Sequence, residues 1–258
     1  MRPSLRRRLQ AGAAALSLAG GLVGGLAAAP AASADTLPAF DFSDCPALPA
    51  GADPSFAQCN VAVTYGGTMK LGSIEQTISS PITLTYTTGF DPVTLESYTL
   101  FGSFKASRFL VQPGLFGDPF VTAIYAQPQY AGGVDTDGGR LNLNLKVNVQ
   151  NPLLGSRCTI GSNSAPIALH LGIGATNPPP PNTPIQGSAP EVVGTNPTVL
   201  KTTVVDNAFA VPKAGGCGLD LGAENWAVNL YAGLPSAAGH NTAIFNQYVA
   251  YKTYTDLP

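Results

Sequence analysis

Apolar and polar residues alternate along several segments of this chain, which is the pattern of β-strands that bury one face. The clearest segment is 141–149, where five Leu and Val residues occupy every second position and Asn and Lys stand between them. Residues 167–173 repeat the alternation around His170. Further strands, rich in Val, Ile, Thr, Tyr and Phe, are predicted at 60–65, 82–88, 98–104, 120–126, 199–205 and 247–254. With 29 Gly and 23 Pro to separate short strands, the chain is predicted to be all-β, mainly an antiparallel β-sandwich.

Three segments depart from this alternation. Residues 135–139, Asp-Thr-Asp-Gly-Gly, predict the turn that leads into the strand at 141. Residues 177–184 include four consecutive prolines, which fix φ and remove amide donors, so they predict an extended polyproline II connector and exclude a central strand. Residues 219–232 repeat apolar side chains at helical spacing and predict one short helix, with Asp220 as its N-cap and Gly233 at its end.

The first 34 residues predict a cleavable signal peptide. Four arginines between Arg2 and Arg8 precede an uncharged stretch, 9–29, that is mostly Ala, Leu and Gly. The small residues of Ala32-Ser33-Ala34 suit a signal peptidase, so cleavage is expected after Ala34. Glycines within the stretch and the lack of a positive cluster after it weigh against the alternative, a transmembrane anchor. We therefore expect a protein that is secreted or loosely associated with the cell wall, with 35–258 as a single β-rich domain that includes the connector at 177–184.

Cleavage changes the charge balance. The leader holds four of the 13 basic residues and none of the 15 acidic ones, which leaves nine against 15 and a net charge of −6. A mildly acidic chain with no basic run weighs against nucleic acid and anionic membranes as partners. Because the sequence has no Walker loop, dinucleotide fingerprint or zinc-protease motif, no cofactor is predicted.

The four cysteines, Cys45, Cys59, Cys158 and Cys217, predict two disulfides, because the thiols of exported proteins are normally oxidised. Three pairings are possible. We favour Cys45 with Cys59 and Cys158 with Cys217, since the first two bracket a short loop rich in Pro and Gly. No C-x-x-C motif is present and there are only two histidines, which weighs against a metal site built on cysteine.

Two short segments are candidates for chemistry. Ser236 and His240 lie close together in a loop, and a serine hydrolase needs such a nucleophile and base. The G-x-S-x-G marker is absent, however, so a solvent-facing His240 is the favoured interpretation. Asp135 and Asp137 carry the first part of a calcium-binding loop, but the later acidic ligands are missing, so a hairpin turn is favoured over a metal site.

Five motifs stand in the second half of the chain: N-P-L-L-G at 151–155, C-T-I-G-S at 158–162, V-D-N-x-F-x-V-P at 205–212, G-C-G at 216–218 and G-L-P-S-A-A-G-x-N-T-A at 233–243. Together they resemble a family of small, uncharacterised secreted proteins of high-GC Gram-positive (actinobacterial) type. The resemblance covers roughly 141–245. It implies export and a bridge between Cys158 and Cys217, and it implies no activity for any residue.

Three classes of function remain. We favour a non-catalytic extracellular or envelope-associated protein with a binding or structural role, because catalytic signatures are missing; its partner would be a cell-envelope polymer or another extracellular protein. The second class is an extracellular hydrolase with dispersed catalytic residues. The third is an oligomeric envelope pore or a lipid carrier, since the strand at 141–149 has the length and alternation of a membrane-spanning β-strand.

Overall fold

The computed structural model of this protein describes residues 36–112, 122–218 and 222–257. The predicted signal peptide and the first three positions of the predicted helix, 219–221 with its N-cap candidate Asp220, lie outside these ranges. Residues from Leu37 onward belong to one compact unit. No helix in the described ranges is long and apolar enough to cross a membrane.

About half of the residues lie in strands, and the described ranges contain one α-helix. In chain order these elements are β1 (Ala57–Leu71), β2 (Ile74–Thr77), β3 (Ile82–Phe90), β4 (Ser97–Ala106), β5 (Phe109–Gln112), β6 (Ile124–Asp137), β7 (Arg140–Gln150), β8 (Thr159–Ile160), β9 (Ile167–Leu171), β10 (Ser188–Thr195), β11 (Thr198–Asp206), β12 (Ala214–Gly215), α1 (Ala223–Ala232) and β13 (Thr242–Thr253). Two short 3-10 turns, Pro54–Phe56 and Tyr254–Asp256, precede β1 and follow β13.

The strands make two antiparallel sheets. The first has the order β10-β11-β13-β1-β3-β4, with β2 paired to the far end of β1, and the second has the order β12-β8-β7-β6-β5, with β9 paired to β7. Their facing side chains form one core, in which Leu145 and Val147 of β7 pack in the same cluster as Phe245 of β13. The predicted antiparallel β-sandwich is therefore confirmed.

Most predicted strands lie within observed ones. Of the strand predicted at 120–126, residues 120 and 121 lie outside the described ranges and β6 begins at Ile124, while the strand predicted at 167–173 ends at Leu171. The strand predicted at 247–254 starts earlier, at Thr242, and gives way to a 3-10 turn at Tyr254. Five strands were not predicted, namely β2, β5, β8, β10 and β12.

The turn at 135–139 is confirmed in its position. Asp137 pairs with Arg140, and the two residues between them, Gly138 and Gly139, have φ of 55° and 77°. A two-residue hairpin turn of this type needs positive φ at both positions, which glycine adopts without steric cost.

The segment 177–184 holds no strand or helix, as predicted, but it does not run straight from one end to the other. The amide of Thr176 donates to the carbonyl of Ile185 at 2.8 Å, so the two ends of the segment lie side by side and the chain turns back. The side chain of Asn182 donates to the carbonyls of Asn207 and Asn241 and holds this loop against the sandwich. Four prolines remove amide donors, but they do not set the direction of the chain around them.

The short helix is confirmed, with a later start than predicted in the described chain. Gly222 has φ of 81°, which a helical residue does not adopt, so α1 begins at Ala223. Gly233, with φ of 63°, ends the helix as predicted, and its amide donates to the carbonyls of the last turn.

Both favoured disulfides are confirmed, Cys45–Cys59 and Cys158–Cys217. The first fastens the segment before β1, whose residues Leu37, Phe40 and Phe42 pack on the outer face of β11 and β13. Asp44 in this segment forms an ion pair with Lys105 of β4 and accepts a hydrogen bond from the Ser103 hydroxyl. Both contacts lower the pKa of the Asp44 carboxyl, and the contact with Lys105 has the larger effect. The segment therefore covers one face of the first sheet and leaves the opposite face to the core.

Candidate functional site

A cavity of about 450 Å³ lies between the two sheets. Its lining comes from both sheets, from α1 and from the loop residues next to β6 and β7: Met69, Leu71, Ile74, Gln76, Phe109, Val111, Thr122, Ile124, Ala126, Pro128, Val147, Val149, Asn151, Leu153, Leu154, Ile160, Ala227, Val228, Tyr231 and Ala232. None of these residues is charged, and 16 of the 20 have apolar side chains that form no hydrogen bonds. A space of this size and lining falls in the range of small-molecule binding sites.

The cavity follows from the alternation along the strands of the second sheet. Val147 and Val149 point inward because they continue the apolar face of β7. On the neighbouring strand β6 the inward positions include Ala126 and Pro128, whose side chains are small. Opposite them the first sheet contributes only the hairpin of β1 and β2. Small residues on one sheet and a narrow hairpin on the other therefore leave unfilled space at this end of the core.

The helix α1 forms one side of the cavity and presents three different faces. Asn225 and Asn229 face the chain at 214–217: the amides of Ala214 and Cys217 donate to the side chains of Asn229 and Asn225 at 2.7 and 2.9 Å. Ala227, Val228, Tyr231 and Ala232 face the cavity. Trp226 and Leu230, one turn apart, face solvent. The two asparagines thus fix the rotation of the helix about its axis.

The end of the helix is fixed by the turn between β1 and β2. Ser73 donates from its amide to the carbonyl of Ala232 at 3.0 Å and from its hydroxyl to the carbonyl of Tyr231 at 2.8 Å. At the preceding Gly72, with φ of 61°, a Cβ atom would lie 2.2 Å from the carbonyl oxygen of Ala232. Only glycine permits this approach, so the hairpin and the helix close the cavity together.

The mouth of the cavity is defined by the lining residues that are also exposed to solvent, which are Leu153, Ala227 and Tyr231. Polar groups are few. Asn151 is held by its own loop, donating to the carbonyl of Ala123 and accepting from the amide of Leu153. The amide of Gln76, half-buried in the lining, has no hydrogen-bond partner among the described residues. An apolar ligand with a small polar end matches such a lining.

The structure does not bring the predicted hydrolase pair together. Ser236 is buried, and its backbone pairs with Val211 in the loop between β11 and β12, while His240 is exposed. Between the Ser236 hydroxyl and the His240 ring, the described structure contains no hydrogen bond. His170, on the outer face of β9, contacts the side-chain oxygen of Asn142 at 2.7 Å.

The predicted metal candidates, Asp135 and Asp137, lie on the same exposed side of β6 just before the hairpin turn. In the described ranges no group of three His, Cys, Asp or Glu side chains is close enough to hold a metal ion. The carboxylates therefore remain two solvent-facing groups at a turn.

Comparisons of the chain with protein-family models, with curated proteins and with solved structures find no match. Function must therefore be inferred from the geometry of the cavity.

Sequence reasoning missed this site, although part of its signal was present. The apolar face predicted at 141–149 includes two lining residues, Val147 and Val149. The small inward positions of β6 and the exposed apolar positions of α1 were the other signals. Each of these signals alone is also expected of an ordinary β-sandwich. They indicate a cavity only once the packing of the two sheets brings these residues together.

Proposed function

We propose that the protein is an exported binding protein that carries an apolar ligand with a single extended hydrocarbon chain, such as a fatty acid, in the cavity between its sheets. The observation that carries this proposal is the cavity of about 450 Å³, whose described lining carries no charged side chain and which has Leu153, Ala227 and Tyr231 as its exposed lining residues. It favours the lipid-carrier alternative among the functions predicted from the sequence. Export is supported by the predicted signal peptide, by the two disulfides, and by the resemblance to secreted actinobacterial proteins.

The volume indicates the size of the ligand. A water-sized group occupies about 30 Å³ in a liquid, so 450 Å³ holds about 15 groups of the size of a methylene. Burial of such a chain stabilises the complex by roughly 0.8 kcal/mol for each methylene removed from water, before the cost of association. A polar head group would find hydrogen-bonding groups in the Tyr231 hydroxyl at the mouth and the Gln76 amide in the lining.

The proposal predicts saturable binding of cis-parinaric acid, a fluorescent fatty acid, with one molecule bound per chain. Replacement of Ala126 by Phe is expected to weaken binding at least about tenfold, because the ring occupies space that the hydrocarbon chain needs. The measurement is a fluorescence titration of the purified protein and of the Ala126→Phe variant.

The matched control is Ala189→Phe on the edge strand β10, where the alanine is exposed and does not line the cavity. This variant should bind cis-parinaric acid as the unmodified protein does, and both variants should keep the circular dichroism of a β protein. Binding that fails to saturate, or equal affinity in Ala126→Phe and the unmodified protein, would contradict the proposal.

A further inference from the structure

Four exposed apolar side chains surround or adjoin the mouth of the cavity. Trp226, Leu230, Leu153 and Tyr231 are 67%, 66%, 66% and 47% exposed. We call these four residues the mouth patch. Tyr231 and Leu153 also line the cavity, so the patch is continuous with the cavity interior.

The helix geometry shows why these side chains face outward together. Residues 226 and 230 are one turn apart and lie on one side of α1, and Tyr231 lies between that side and the cavity. The side-chain amides of Asn225 and Asn229 hold a neighbouring side of α1 against 214–217, so the helix cannot rotate to bury Trp226. The exposure of the patch is therefore built into the fold.

We propose that the mouth patch docks on the surface of a zwitterionic phospholipid bilayer, so that an apolar chain passes between the bilayer and the cavity without crossing water. This inference rests on the proposed function, because it assigns a source to the same ligand. Trp and Tyr favour the interface between water and lipid, where an apolar ring and a polar group are both accommodated.

The charge of α1 and the area of the mouth patch favour a zwitterionic bilayer over other binding partners. The helix carries one acidic residue, Glu224, and no basic residue, so it offers nothing to attract anionic lipid. Large side chains at these exposures present on the order of 500 Å² together, whereas a stable protein interface needs roughly 800 Å² from each partner. A shallow insertion into a bilayer fits a patch of this size better than a second copy of the chain does.

The chain contains a single Trp, which makes the docking directly observable. Vesicles of pure phosphatidylcholine should shift the emission of Trp226 to shorter wavelength, and the protein should float with these vesicles in a density gradient at both low and high salt. Trp226→Ala combined with Leu230→Ala should lower the bound fraction about tenfold. The control pair, Val93→Ser with Val192→Ser, removes two other exposed apolar side chains that do not line the cavity and should leave flotation unchanged.

A separate titration with cis-parinaric acid, without vesicles, keeps this inference distinct from the proposed function. The double variant Trp226→Ala/Leu230→Ala should bind the fatty acid normally but should no longer float with the vesicles. Docking is overturned if the unmodified protein does not float, if it floats only with anionic vesicles and salt releases it, or if both double variants float equally. It is also overturned if the unmodified protein is a dimer in solution and the double variant Trp226→Ala/Leu230→Ala is a monomer. Failure of fatty-acid binding with normal flotation would count against the cavity's function and not against the docking surface.

Discussion

Replacement of Asn241 by Ala is expected to lower the free energy of unfolding by about 3–5 kcal/mol. Asn241 is completely buried, and its amide links three segments of the chain. Its oxygen accepts from the amide of Gly72 at 2.8 Å, and its nitrogen donates to the carbonyls of Phe209 and Ala237 at 3.0 and 2.9 Å. Alanine leaves these backbone groups buried without partners, and each unsatisfied group costs roughly 1–3 kcal/mol.

The measurement for Asn241→Ala is equilibrium unfolding in urea, with Asn163→Ala as the control. Asn163 is exposed and accepts one hydrogen bond from Lys146 at the surface, so its loss should cost less than about 0.5 kcal/mol. Because Gly72 lies in the turn that contacts the end of α1, the Asn241→Ala variant should also bind cis-parinaric acid more weakly. A loss of stability below about 1 kcal/mol would show that water or a rearranged loop satisfies these groups.

Removal of the Cys158–Cys217 bridge by Ser at both positions is expected to cost about 4 kcal/mol. The bridge closes a loop with a sequence separation of 59 residues, and the chain-entropy model gives about this value for a loop of that length. Removal of Cys45–Cys59, with a separation of 14, should cost about 3 kcal/mol in the same model. Urea unfolding of both double variants without reductant measures the two losses.

The two disulfide variants should differ more in ligand binding than in stability. Cys217 follows the strand β12 that Asn229 holds against α1, so its release loosens one side of the cavity. Cys45 fastens the segment on the outer face of the first sheet, away from the cavity lining. We therefore expect weaker cis-parinaric acid binding only without Cys158–Cys217. Equal binding in both variants would mean that the helix is positioned by its asparagines alone.

Much of the sandwich can be predicted from local pattern. The alternation at 141–149 identified β7 and its buried face, and two adjacent glycines after Asp137 located the hairpin turn. The strands that were missed are short or lie at a sheet edge. β10 is exposed along most of its length, so it has no apolar face to show in the sequence. Its partner β11 defines it through backbone hydrogen bonds, which leave no periodic signal.

The cavity could not be predicted in the same way, because it consists of space that distant residues leave unfilled. Val147 on β7 looks the same in sequence whether a large side chain or an opening stands opposite. Ser236 and His240 show that closeness along a loop is a weak signal of a catalytic pair. His240 is exposed, as the favoured interpretation expected, whereas Ser236 is buried and its backbone pairs with Val211. The buried amide of Asn241, which joins three loops, also carries no local signal, because its partners are up to 169 residues away.

The location of a bound chain tests the central claim most directly. A fatty acid with a nitroxide spin label at the end of its chain should broaden the NMR methyl signals of Val147, Val149 and Ile160, which line the cavity. The methyl signals of Val61 and Val199, buried elsewhere in the first sheet, should stay sharp. Broadening confined to exposed residues such as Val93 and Val192, or uniform across the protein, would contradict the assignment of the cavity as the binding site.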